Sequence, residues 1–183
     1  MRFKGLTAAL FVIGLTFAAS SAQALPLTGD TISGTFHFPN DGTVYGNFTY
    51  SVNPFVVGAG VESVLTVDGF AQTNVDFGPT SLVLTILNSV GYTGASFNGP
   101  EFAILAGSGF GSIANVLVSG GQSVAVGIVG GELQVNWQGA SFNAGDTITV
   151  NFENGRVPEP ATLLMLGAGL GAAALRRRRA SRA

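Results

Sequence analysis

Between residues 25 and 155, the side chains able to do acid–base, nucleophilic or metal chemistry are one histidine, His37, and nine carboxylates. These are Asp30, Asp41, Glu62, Asp68, Asp76, Glu101, Glu132, Asp146 and Glu153. The chain has no cysteine, and this stretch has no lysine or arginine. Thiol nucleophiles and lysine Schiff bases are therefore impossible within it. A zinc site draws three or four ligands from His, Cys and carboxylates, so one built here would be carboxylate-rich. A Ser-His-Asp triad would depend on His37, which stands between Phe36 and Phe38, and no GxSxG elbow is present. His37 is expected to be a solvent-facing strand residue. A carboxylate pair for glycoside cleavage is available by count, which leaves a glycoside-active enzyme as the least favoured function. Position speaks against it. Asp41 and Asp68 precede glycines, and Asp30 and Asp146 follow them, all placements that turns explain. Glu62, Glu101, Glu132 and Glu153 are expected as solvent-face or strand-end charges. The chain is expected not to be an enzyme.

Binding is the richer chemistry. Calcium takes oxygen ligands alone, which makes Asp41, in Asn40-Asp41-Gly42, and Asp146, after Gly145, candidate metal ligands, though no DxDxDG loop occurs. Trp137, Tyr45, Tyr50 and Tyr92 are candidate sugar-stacking platforms for a carbohydrate-binding module. The competing role for Trp137 is to fill the core beside Phe142. With nine acids and no base, the stretch has nothing to neutralise phosphates, so a nucleic-acid partner is excluded.

The elements that must position these residues are strands. Thr31 to Phe38 alternates, with Ile32, Gly34, Phe36 and Phe38 on one face and His37 on the other. Pro39-Asn40-Asp41-Gly42 carries turn chemistry, and Val44 to Val52 is expected to return as the second arm of a hairpin. Further strands are expected over 61–67, 70–77, 82–87, 101–105, 113–118, 123–129, 133–137 and 147–152. Asp68-Gly69 should turn one of these into the next. The apolar run at 82–87 suits the middle of a sheet. About ten short strands without an amphipathic helix predict an all-β domain, a β-sandwich of jelly-roll type, over 25–155. Gly94-Ala95-Ser96-Phe97-Asn98 and Gly139-Ala140-Ser141-Phe142-Asn143 echo each other and are expected to form two corners, each burying a phenylalanine.

All eight basic residues lie outside this domain. Arg2 and Lys4 precede an apolar run that ends near Ala22-Gln23-Ala24, an A-x-A cleavage site, so residues 1–24 are expected to be a helical secretory signal peptide cut after Ala24. The other end, 156–183, has three parts. In Val157-Pro158-Glu159-Pro160 two prolines hold Glu159 in extended backbone. Residues 161–175 are uncharged, and as a helix they would reach about 22 Å against the ~30 Å of a bilayer core, a short transmembrane helix. The tail 176–183 opens with Arg176, Arg177, Arg178 and Arg179, a topology stop that keeps the arginines cytoplasmic and everything before Ala161 outside.

Motif, short apolar run and arginine block, in this order at the C-terminal end, resemble the PEP-CTERM sorting signal of Gram-negative bacteria, with Val157-Pro158-Glu159-Pro160 at its defining motif. The resemblance implies recognition and cleavage at the motif by exosortase, a membrane-embedded protease-transpeptidase, and association with exopolysaccharide. It also implies an inner-membrane-anchored precursor that becomes a cell-surface or matrix protein. Structural or adhesive work in biofilm follows as the expected role, with divalent cations such as calcium bridging the acidic domain to anionic polymers.

Overall fold

The computed structural model describes residues 26–107 and 109–153. The expected signal segment 1–24 with Ala22 and Ala24, the motif 157–160, the apolar run 161–175 and the arginine block 176–179 lie outside the described residues. Among the described residues, no helix is long and apolar enough to cross a membrane.

The described chain is all-β apart from one 3-10 turn at Ser119–Gly121. In chain order its strands are β1 (Thr31–His37), β2 (Phe48–Tyr50), β3 (Phe55–Val56), β4 (Ser63–Val67), β5 (Ala71–Gly78), β6 (Ser81–Ile86) and β7 (Val90–Gly91). They continue with β8 (Gly99–Ala106), β9 (Ile113–Val118), β10 (Ala125–Val129), β11 (Glu132–Asn136), β12 (Ser141–Phe142) and β13 (Thr147–Phe152). One sheet runs β10-β11-β8-β1-β3, a second runs β2-β4-β5-β6-β13-β9, and β7 pairs with β12 beside them. Neither large sheet closes. The first four strands alternate between the two sheets, whereas β4, β5 and β6 follow one another as a meander.

Period-two patterning builds both layers. Along β1 burial alternates, so that Ile32, Gly34 and Phe36 turn inward. In β5 and β6 the inward set is Ala71, Thr73, Val75 and Phe77, then Leu82, Leu84 and Ile86. The run 82–87 does lie mid-sheet, between β5 and β13. The sheets meet through rings: Phe77 of β5 packs edge-on against Phe102 of β8 at 5.2 Å, and Tyr50 of β2 against Phe102 at 6.4 Å. Gly34 is needed because a Cβ there would come within 2.5 Å of the Tyr50 ring, whose hydroxyl donates to the Thr35 carbonyl at 3.2 Å. The three-residue loop 68–70 joins β4 to β5, with Val67 opposite Ala71, and Asp68 and Gly69 take φ of +54° and +74°, left-handed backbone that Asp and Gly tolerate.

The expected hairpin after β1 forms only at its tip. Phe38 N–H donates to the Thr43 carbonyl, Tyr45 N–H donates to the Phe36 carbonyl, and His37 bridges Val44. Beyond Tyr45 the chain leaves for the other sheet, where β2 pairs with β4. The edge of β1 that a full hairpin arm would have used is taken at its far end by β3, through Ile32 and Phe55. Inward aromatic side chains decide the matter, since Phe48 and Tyr50 pack on Phe36 and Phe102 from the opposite layer.

Candidate functional site

At one end of the two layers lies a recess of about 100 Å³. Its walls are Phe36 and Phe38 of the first strand and its exit, Tyr45 beyond the tip of the turn, Val67, Asp68, Phe70 and Ala71 around the β4–β5 turn, and Val90 to Thr93 with Asn98. Phe70 is 59 % exposed and Tyr45 half-buried, so two aromatic rings stand at the rim. Asp68 is the sole charged residue in the lining. Its Oδ1 accepts from the Tyr45 hydroxyl at 2.7 Å and from Asn47 Nδ2 at 2.8 Å, which ties the β1–β2 connection to the hairpin turn. That hydrogen bond to Asp68 raises the Tyr45 hydroxyl above its ordinary pKa, with burial and the Asp68 charge adding to the shift. Phe38 meets Tyr45 edge-on at 5.8 Å.

Under the recess lies a buried aromatic stack. Tyr92 is stacked on Trp137 at 4.8 Å, and Trp137 meets Phe142 at 6.2 Å and Phe36 at 6.1 Å. Trp137 has no exposure, so it is a core residue beside Phe142 and offers no face to a sugar. Tyr50 is committed between the sheets, where burial drives its hydroxyl far above the ordinary value. Tyr92 is buried and reaches the recess as part of its lining; burial pushes its hydroxyl up to about 12, with the Thr73 side chain opposing the shift and Asp68 adding to it. Of the four expected platforms, then, Tyr45 stands at a rim, and Phe70, which sequence reasoning missed, stands with it. Trp137 Nε1, the Tyr92 hydroxyl and Thr73 Oγ1 find no hydrogen-bond partner of normal geometry, a cost that the packed rings around them must offset.

The second polar neighbourhood overturns two expectations. His37 and Glu101 are buried, although both project from the outer face of their sheet. The 38–44 turn and the 93–98 corner fold over them: Phe97 packs edge-on against the imidazole at 6.3 Å, and Phe97 N–H and Ser96 Oγ donate to the Pro39 carbonyl. His37 Nδ1 contacts the Asp41 carbonyl, and since a carbonyl can only accept, Nδ1 carries the proton. Nε2 shares a hydrogen bond with Thr35 Oγ1, at 3.0 Å, and lies 3.7 Å from Glu101 Oε1. Glu101 Oε2 accepts from Gln134 Nε2 at 2.6 Å. Glu132 is hydrogen-bonded to Glu101, which, followed by burial and the Glu101 charge, raises its carboxyl above the usual range, while His37 opposes the shift. The arrangement clips a turn to a strand.

The calcium candidates stand apart. Asp41 contributes its backbone carbonyl to His37, and its side chain is exposed. The Asp146 carboxylate accepts from Asn143 N–H at 2.8 Å and Ser119 Oγ at 3.3 Å, the turn role expected of it. Glu62 likewise serves backbone, accepting from Gly58 N–H and Phe77 N–H. Among the described residues, no group of three or more His, Asp or Glu is placed to hold a metal ion. Phe97 and Phe142 are both buried, as the paired corners predicted.

Comparison with known proteins locates a function in the other part of the chain. Residues 156–179 match the family model of the PEP-CTERM protein-sorting motif. No curated protein and no solved structure matches the chain. The chain therefore carries a PEP-CTERM protein-sorting motif, which supports an exported protein sorted by exosortase, and its described part is all-β.

Proposed function

We propose that this protein is a structural or adhesive component of an exopolysaccharide-associated extracellular matrix, and that its all-β domain is non-enzymatic. The sorting-motif match at 156–179 carries the proposal, because exosortase substrates are cargo. Charge supports it: every lysine and arginine lies in the terminal segments, so removing residues 1–24 and cutting at Val157-Pro158-Glu159-Pro160 leaves a strongly acidic, cysteine-free domain. The precursor is held in the inner membrane by 161–175 until cleavage and then passes to the cell surface or matrix. The one histidine among the described residues is engaged in holding a turn, which favours a structural role over acid–base work. Mass spectrometry of the protein recovered outside the cell tests this directly. The expected mass lacks both 1–24 and the arginine block, whereas extracellular protein that retains Arg176 to Arg179 contradicts the proposal.

Carbohydrate binding is the second reading, and a specific observation favours it: the recess with Tyr45 and Phe70 at its rim and Asp68 in its wall.

A further inference from the structure

We propose that the recess between Tyr45 and Phe70 binds one sugar residue bearing a free amine, within a polysaccharide, with its ammonium beside Asp68 and its ring against the aromatic walls. This rests on the matrix role proposed above and names its ligand. Size sets the first limit. A recess of about 100 Å³, open to solvent, lies well below the roughly 300–1,000 Å³ of a drug-sized pocket, a scale that suits a single ring seated at its mouth.

Electrostatics chooses the ring. Asp68 is the sole charge in the lining, no lysine or arginine occurs between residues 25 and 155, and that stretch holds nine carboxylates. A uronate, sulfate or pyruvate-bearing sugar would meet repulsion with nothing to offset it, whereas an ammonium is attracted by the field of the whole domain. The aromatic rim adds to this, because a cation within about 6 Å of a Tyr or Phe ring face is attracted by the ring quadrupole. The carboxylate is held ready for such a ligand. Asp68 Oδ1 is fixed by Tyr45 and Asn47, and both donors are neutral, so the negative charge is oriented but not cancelled. Thr93, exposed in the lining, offers its hydroxyl, and Asn98 Nδ2 holds that segment in place by donating to the Thr93 carbonyl at 3.0 Å.

Isothermal titration of the full-length chain with a glucosamine hexamer, an N-acetylglucosamine hexamer and polylysine tests the proposal. The expected result is saturable binding of the glucosamine hexamer, about tenfold tighter than of its N-acetylated counterpart, on the scale of one desolvated ammonium contact. Asp68→Asn and Phe70→Ala should each weaken it about tenfold. Asn tolerates the positive φ at position 68 and still accepts from Tyr45 and Asn47, so D68N keeps the fold and reads the charge alone. Equal binding of the two hexamers, or no effect of D68N and F70A, overturns the proposal. Polylysine bound as tightly as the glucosamine hexamer, with the same loss in D68N, also overturns it and makes the occupant a basic peptide. If the chain binds matrix polysaccharide extracted from its own culture but neither hexamer, the recess assignment falls and the adhesive role stands. If it binds neither, the adhesive role falls as well.

Discussion

The recess at Asp68 and the cluster at His37 are built from the same materials, a carboxylate, a hydrogen-bonding ring and a neighbouring phenylalanine, yet one faces solvent and the other is covered. Asp68 is exposed beside Phe70, and its partners Tyr45 and Asn47 orient it from one side. Glu101 is buried, and its partners, with the 38–44 turn and Phe97 above them, close it off. The difference teaches that a polar group is available for a ligand only where the loops leave it uncovered. In the covered cluster the hydrogen-bonding capacity is already spent on the chain itself. In the open one it is partly spent on orientation, and the remainder faces outward.

The comparison is broken most severely by removing what the recess stands on. Trp137→Ala deletes a fully buried ring that supports Tyr92, Phe36 and Phe142, and should cost about 3–5 kcal/mol in urea unfolding. Next comes the covered cluster: His37→Ala strips the Asp41 carbonyl of its donor and opens a gap under Phe97, at a cost of about 1–3 kcal/mol, with hexamer binding unchanged. By contrast Asp68→Asn should change stability by no more than about 0.5 kcal/mol, as an exposed substitution at a turn Asn accepts, so that stability and binding separate cleanly between the two regions.

Glu132→Gln sharpens the same contrast through pH. Because the folded state raises the Glu132 pKa, the folded protein holds that proton more tightly than the unfolded chain does. Stability from this group is therefore full below the ordinary carboxylate range and is lost as pH rises through the raised value. The Gln variant should be the more stable one at neutral pH, by up to about 0.5 kcal/mol, and the two melting curves should converge under acid. Smallest of all is the effect of chelation. With Asp146 engaged by Asn143 and Ser119, adding EDTA to the purified protein should leave its melting temperature unmoved.

Much of the scaffold was legible along the chain. The inward set of β1 and the Asp68-Gly69 turn follow from local rules, period-two alternation and the need for positive φ in a tight hairpin. Phe142 beside Trp137 was legible too, since an apolar ring after a strand seeks the core. The return arm after β1 was not, because Phe48 and Tyr50 obey strand alternation equally well in either sheet and only the rings opposite them choose. His37 and Glu101 fit the outer-face pattern correctly, but pattern carries no information about which loop will lie on top.

What the amino-acid sequence settled by itself is the sorting motif, the confinement of every cation to the terminal segments and the all-β class, since each depends on neighbours along the chain or on composition. What only the tertiary structure decided is which polar residues are sealed and which are open. Tyr45, the Asp68–Phe70 turn and Tyr92 come from three separate segments that meet at one recess. Burial is a property of all the surfaces that meet at a point, and no single stretch of chain contains them.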